Sequence, residues 1–363
     1  MAKELYIGVM SGTSLDGIDI SLCAIDKSNF KVVSSKEYPY DEELKQDILK
    51  AISDSISLKQ YGEIDYRLGM MYSDAIRKFL NNFSLNAKNI TAIGLHGQTL
   101  WHEPKSRFPF SLQAGNASLV SKQIGIDVVS DFRSGDIALG GEGAPFAPVF
   151  HREVFKRLDK KTAALNLGGI ANLTILNGGI LGYDVGPANI LLDAWIQKNE
   201  NKSYDKDSKW AREGQVDFSL LSKLLDEPFF SKSAPKSTGR ELFSLEWLED
   251  KLYGFTTRTQ DVQRTLLELS VSVIAKEIKK YDVQLVLACG GGANNGYFLE
   301  LLAQKLDGIE VSTTDKYGVD GDFLEAMAFA YFAYKRVHKE SLHLKSITGA
   351  HRDGVLGAIY AAH

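Results

Sequence analysis

The stretch GVMSGTSLDGIDI, residues 8–20, sets Gly12, Thr13, Ser14, Asp16, Gly17 and Asp19 between two apolar runs, with Leu15 and Ile18 as apolar members of the turn. Gly12 and Gly17 permit close backbone approach, and the hydroxyls of Ser11, Thr13 and Ser14 surround several consecutive N–H groups, so the turn can cradle oxyanions. It lacks the GxxxxGK[ST] pattern and therefore the lysine of a Walker loop. Asp16 and Asp19 do not welcome phosphate; they would orient a metal ion or the loop itself. A structural hairpin turn explains the same composition, because Gly, Ser and Asp are ordinary turn formers.

LNLGGIANLT supplies a second turn of this type, with Gly168, Gly169 and Asn172. CGGGANNGYFLELL supplies a third, in which Gly290, Gly291 and Gly292 follow a strand and precede a helix whose N-terminus suits an anion. Tight strand–helix packing is the competing reading there. In LGYDVGPAN, Asp184 stands at a strand end between two glycines, placed to act as a general base on a hydroxyl or water, or simply to open the next helix. Arg133, after SD at residues 130–131, offers a planar fork for a sugar or carboxylate, or a structural ion pair. LHGQTLWH brings His96, Gln98 and Trp101, a mix of donors and apolar surface found in carbohydrate pockets and in ordinary cores alike. Glu325, as its helix begins, complements the helix dipole or touches a ligand.

The elements that must position these groups follow from periodicity. Strands are expected at Leu5–Met10, Ile18–Ile25 and Lys31–Tyr38, then helices near Glu42–Ser57 and Tyr61–Phe83. ITAIGLHGQ returns to a strand, and NASLVSKQIGIDVVSDFR reads as a short helix feeding another. The same order then begins again: strand, glycine turn, strand, glycine turn and strand from Thr162 to Gly186, followed by a helix with Pro187 at its first position. Helices near Phe218–Leu225, Leu242–Leu248 and Thr259–Lys280 precede the strand before Cys289, and a last helix carries Phe323, Met327, Ala330, Tyr331 and Tyr334 as a core stripe. Two α/β halves of this kind would face each other across a cleft where turns and strand ends converge.

The chain has 363 residues, 44% hydrophobic and 24% charged, with a formal net charge of −4, so it can bury a large core and holds no basic block for nucleic acid or an acidic membrane surface. The first apolar run breaks at Gly8, far short of a signal segment or membrane span, and a cytoplasmic protein is expected. Two cysteines, Cys23 and Cys289, both in apolar strand patterns, make no disulfide framework. The seven histidines include no pair at zinc-ligand spacing.

GVMSGTSLDGID, GLHGQT, SDFR, GGEGAP, LNLGGIANLT, GYDVGPAN, STGRE, CGGGANN and EAMAFA, in this order, resemble the motif set of the anhydro-N-acetylmuramic acid kinases, within the sugar kinase/Hsp70/actin superfamily. The likeness runs from Leu5 to the C-terminal TGAHRDGVLGAIY, whose His-Arg-Asp departs from the commoner form. It implies an α/β fold of two RNase H-like, actin-like ATPase lobes around a central cleft, divided as 1–135 with sugar-binding elements and 136–363 with nucleotide-binding elements. It implies ATP and Mg²⁺, with Gly12 to Asp19 as the ATP-binding segment, and a small-molecule amino sugar as substrate, in peptidoglycan recycling. Asp184 matches the catalytic aspartate; Arg133 and Glu325 match positions toward the sugar. The Mg²⁺ ligands stay unassigned, and a homodimer is compatible with the pattern. A plain hexose or N-acetyl amino-sugar kinase of the same superfamily, and a nucleotide-dependent binding module, are the alternatives; the polar set Asp131, Arg133, Glu142 and Asp184 argues against the latter.

Overall fold

The computed structural model describes residues 3–12, 15, 17–53, 55–155, 158–176, 181–234 and 236–363. Along the chain come β1 (Glu4–Met10), β2 (Gly17–Ile25), β3 (Phe30–Pro39), α1 (Glu42–Ser53), α2 (Leu58–Asn82), β4 (Ile90–Leu95), β5 (Gln98–Glu103) and β6 (Phe110–Ala114). Then follow α3 (Ala117–Ile124), β7 (Val128–Ser130), α4 (Phe132–Ala138), α5 (Ala147–Phe155), β8 (Thr162–Leu167), β9 (Ile170–Ile175), β10 (Leu181–Pro187) and α6 (Ile190–Glu200). The chain continues through α7 (Lys209–Arg212), α8 (Phe218–Leu225), α9 (Leu245–Leu252), α10 (Thr259–Ile278), β11 (Leu285–Cys289), α11 (Gly296–Lys305), β12 (Glu310–Thr313), α12 (Leu324–Val337) and β13 (Ala358–Tyr360).

Two compact units result, one of residues 1–150 with 323–363, the other of residues 151–322. The first is built on a sheet in the order β13-β7-β4-β1-β2-β3, the second on one in the order β10-β9-β8-β11-β12. In each, three consecutive strands form an antiparallel meander, and the first of them pairs in parallel with a later strand: β1 with β4, β8 with β11. The order of elements that repeats in the sequence is thus a repeat of topology, the RNase H-like arrangement.

The division differs from the expected 1–135 and 136–363. α12 and β13, late in the sequence, belong to the first unit, and the reason is steric. A Cβ on Gly8 of β1 would collide with the carbonyl of Ala326, and one on Gly94 of β4 with that of Phe329. Two glycines therefore let the α12 backbone lie directly on the first sheet, where Tyr6 and Tyr334 meet edge to face at 5.6 Å. β13 then closes the edge by pairing with β7.

Pro187 ends β10, opposite Ile170, instead of opening a helix. β10 is an edge strand, where a residue without an N–H is tolerated. The amides of Ala188, Asn189 and Ile190 are held by the carbonyls of Gly168 and Gly169, which delays α6 until Ile190. Likewise Ser57, expected inside the first helix, instead caps α2 through a reciprocal box with Gln60.

Both cysteines are buried, and the Cys289 thiol donates to the Leu165 carbonyl at 3.7 Å. Among the described residues no helix is long and apolar enough to cross a membrane.

Candidate active site

Because β8 and β11 run parallel as neighbours, the turn after β8 and the glycine run after β11 leave the same edge of the second sheet. The register then lines up one rung across four strands: Cys289 opposite Asn166, Asn166 opposite Asn172, and Asn172 opposite Asp184. Opposed residues share a face of the sheet, so Asn166, Asn172 and Asp184 form a polar row beside the glycine turns.

Asp184 is held at three points. Its Oδ1 accepts from Asn172 Nδ2 at 3.1 Å, and its Oδ2 accepts from Ser237 Oγ and from the Thr238 amide, both at 3.0 Å. Its own amide donates to the Lys236 carbonyl at 3.0 Å. Two donors fill the Oδ2 lone pairs, while Oδ1 keeps room for a proton from a substrate or water.

The β8–β9 turn is pinned through its carbonyls: Asn189 Nδ2 donates to Leu167 O at 3.0 Å and to Gly168 O at 2.8 Å. Among the described residues no turn or loop backbone bond runs from the Gly168 or Gly169 N–H groups, and donors at such a turn suit an oxyanion. Gly290 takes φ +75°, and a Cβ there would strike Asn166 Oδ1. On Gly292 a Cβ would come within 2.7 Å of Leu167 and of Asn189, so this glycine seats the β11 loop on the β8–β9 turn; Gly291, in contrast, faces open space. The first sets the turn, the second the packing, and the third leaves backbone accessible.

In the first unit the β1–β2 turn closes at the rung Met10–Asp19. Thr13, Ser14 and Asp16 lie outside the described residues. Gly12 accepts from the Leu15 amide at 3.3 Å, and Leu15 adopts φ +56° with its side chain wholly buried. Ile18 is buried in the same core, so Leu15 and Ile18 can offer a ligand only backbone. Gly17 lies under the Glu37 side chain. Ser11 Oγ meets Tyr72 OH at 2.6 Å, bracing the turn from below. Gln98 belongs to this bracing layer: fully buried, it accepts from Tyr40 OH at 2.9 Å.

His96 and Arg133 form a second group in this unit. Arg133 Nε and Nη2 lie 3.1 and 3.0 Å from His96 Nε2, and Nη1 donates to Gly143 O at 2.8 Å. Arginine only donates, so Nε2 must accept and the imidazole proton sits on Nδ1. Burial and the neighbouring Arg133 charge hold the His96 pKa well below its usual range, keeping the ring neutral. The guanidinium retains N–H groups beyond these three bonds. Glu325, in the first turn of α12, faces solvent, yet desolvation raises its pKa while the Arg133 charge opposes the rise.

Sequence reasoning passes over the residues that brace these groups. Asp136, fully buried, accepts from the Gly143 amide and from Thr348 Oγ1, both at 2.7 Å, so the C-terminal TGAHRD segment holds the loop that holds Arg133. Asp131 precedes α4 at φ +57°. Asn166, Asn189, Ser237 and Thr238 complete the second unit's set; the STGRE motif contains the last two, and Asn189 stands in GPAN, but only the fold aims them at Asp184 and the turn. Among the described residues no group of three or more His, Cys, Asp or Glu side chains is gathered to hold a metal.

The family model for anhydro-N-acetylmuramic acid kinase matches residues 4–362. A curated relative of that name from Sulfurimonas denitrificans is 53% identical over 99% of this chain and 100% of its own. Others of the same name, from a Sulfurovum species and from Vibrio vulnificus, are each 46% identical over 99% of this chain and over 100% and 98% of their own lengths. With the motifs in order, the repeated topology and a match from end to end, the chain belongs to the anhydro-N-acetylmuramic acid kinase family.

Proposed function

We propose that the protein opens 1,6-anhydro-N-acetylmuramic acid with water and phosphorylates its O6 at the expense of ATP, yielding N-acetylmuramic acid 6-phosphate and ADP. The observation that carries this reading is the single available face of Asp184, a carboxylate fixed by Asn172, Ser237 and Thr238. Asp184 Oδ1 takes a proton from water as the water oxygen bonds to the anomeric carbon. The bond from that carbon to O6 breaks, and O6 takes the γ-phosphoryl as the β–γ bridging bond of ATP cleaves. The phosphoryl acceptor is itself the leaving group, so no protein acid is required at O6.

The turns at Gly12–Asp19, at Gly168–Gly169 and at Gly290–Gly292 are assigned to the nucleotide, by backbone donors in place of a Walker lysine. Asn172 acts on the same side by orienting Asp184. Arg133, with its remaining donors, Glu325 and the neutral His96 are assigned to the sugar, while Gln98 supports them from beneath. Magnesium takes one or two carboxylates with phosphate oxygens and water, which suits Asp19 at the rung closing the first turn. Bound there, the ion would neutralise phosphate charge. The reaction fits peptidoglycan recycling and amino-sugar catabolism in the cytoplasm.

Turnover of ATP and the anhydro sugar in ¹⁸O-water is expected to place one ¹⁸O at the anomeric carbon of the 6-phosphorylated product. Absence of that label, with phosphorylation of an unbridged hexose or N-acetyl amino sugar instead, would favour the plain kinase. Asp184→Asn is expected to lower kcat by at least about 10³-fold, because it removes the base, while ATP binding by calorimetry stays within about threefold.

A further inference from the structure

Behind Asp184 lies a buried ionic group that the proposed reaction does not use. Lys236 Nζ and Glu277 Oε1 are 2.9 Å apart with both side chains 3% exposed. The ammonium also reaches the Phe229 carbonyl at 3.4 Å and lies 4.8 Å from the centre of the Phe229 ring. The other oxygen, Glu277 Oε2, accepts from Lys280 Nζ at 2.7 Å and lies 3.1 Å from Tyr183 OH, which is itself 3.1 Å from Tyr281 OH.

Two of the three partners of Glu277, Tyr183 and Lys236, are the chain neighbours of the base and of its donors. Tyr183 immediately precedes Asp184 on β10. Lys236 immediately precedes Ser237 and Thr238, and its carbonyl accepts the Asp184 amide. One carboxylate near the C-terminal end of α10 therefore ties down both segments that meet at Asp184, one through a tyrosine hydroxyl and the other through an ammonium.

Stability is a poor account of this arrangement. Two charges taken out of water lose hydration that their mutual attraction only partly restores, and a matched apolar pair in their place is often as stable. Geometry is the better account, since a misplacement of about 1 Å at a reacting group can cost about 100-fold in rate.

We infer that Glu277 is a positioning residue for the reaction: through Lys236 and Tyr183 it fixes the Ser237–Thr238 donors and β10 so that Asp184 presents Oδ1 to the attacking water. The inference rests on Asp184 as the base, and the two are separable by experiment. Lys236→Met/Glu277→Leu removes both charges together and leaves neither stranded in the core. With folding checked by circular dichroism, kcat per folded molecule is expected to fall about 10- to 100-fold, with KM for ATP and for the anhydro sugar within about twofold of the parent. A pair that serves stability alone would lower the melting temperature and the active fraction but leave kcat per folded molecule intact, and that result overturns the inference.

If the double variant does not fold, Tyr183→Phe carries the test, since it cuts one tie and keeps the ion pair. Its kcat is expected to drop about three- to tenfold at unchanged KM, the worth of one hydrogen bond, and an unchanged kcat overturns the inference. An active Asp184→Asn would overturn the base assignment itself. An inactive Asp184→Asn beside a folded double variant of full kcat would overturn the Glu277 assignment alone.

Discussion

The two glycine hairpins, β1–β2 in the first unit and β8–β9 in the second, occupy the same place in the same topology but are held by different means. The first turn is held largely from within: Leu15 plunges its side chain into the core from a left-handed backbone position, and Ser11 bonds to Tyr72 beneath. The second is two residues long and has no side chain of its own. It is held from outside, by Asn189 on its carbonyls and by Gly292 packed against Leu167. A turn anchored by its own apolar residue ties its shape to the stability of its unit. A turn anchored by a foreign amide can lose its shape at small cost to the fold.

Leu15 breaks or sustains this contrast most strongly. Leu15→Ala leaves a cavity under the first turn and should destabilise the first unit by about 2–5 kcal/mol, read as a fall in melting temperature and faster hydrogen exchange in peptides from β1, β2 and α2. The left-handed conformation adds a cost that alanine does not relieve. Exchange confined to the turn, with an unchanged melting temperature, would show that Leu15 is not the anchor.

Acid offers a comparison of intermediate size. Each unit buries a neutral histidine: His96 against Arg133 in the first, and His151, 3.2 Å from Thr174 Oγ1, in the second. Burial pushes the His151 pKa down to about 4. An unfolded chain binds the proton near pH 6.5, so the stability attached to the neutral ring is present above that pH and is lost as pH falls toward 4. The loss approaches about 3 kcal/mol for His151 once the pH reaches 4. Unfolding by denaturant between pH 7 and pH 4.5 should show a decline in stability that His151→Gln reduces, and equal slopes for parent and variant would refute the assignment to His151.

The meander and its repeat are legible in the sequence because glycines punctuate both hairpins and the apolar runs between them have strand length. Asp184 is legible for the same reason, as an acid between glycines at a strand end. The allegiance of α12 is not, since its cause lies in Gly8 and Gly94, which read as ordinary strand glycines until the Ala326 and Phe329 carbonyls are found on top of them. Pro187 misleads in a related way: its preference for a first helical turn is a local signal, overridden by the amides of residues 188–190 finding the Gly168 and Gly169 carbonyls. The braces escape for want of local pattern. Asp136 with Thr348, and Lys236 with Glu277, are far apart in sequence, and each residue alone reads as a surface polar group.

The finest test of the contrast is Asn189→Ala. Its side chain gives two hydrogen bonds to the β8–β9 turn, yet it is only half-buried, so water can replace part of what is lost. The expected cost to global stability is about 1–2 kcal/mol, smaller than for Leu15→Ala. The functional cost should be the larger share. Without the Asn189 side chain the Leu167 carbonyl loses this donor and the Gly168 carbonyl keeps only the backbone N–H of residue 189, so the Gly168 and Gly169 amides lose part of the orientation that would meet a phosphate oxygen. KM for ATP should rise about three- to tenfold while KM for the sugar stays within about twofold. Equal rises in both constants, or a loss of stability as large as that of Leu15→Ala, would mean that the second turn is held like the first and that the difference between the two hairpins is one of sequence only.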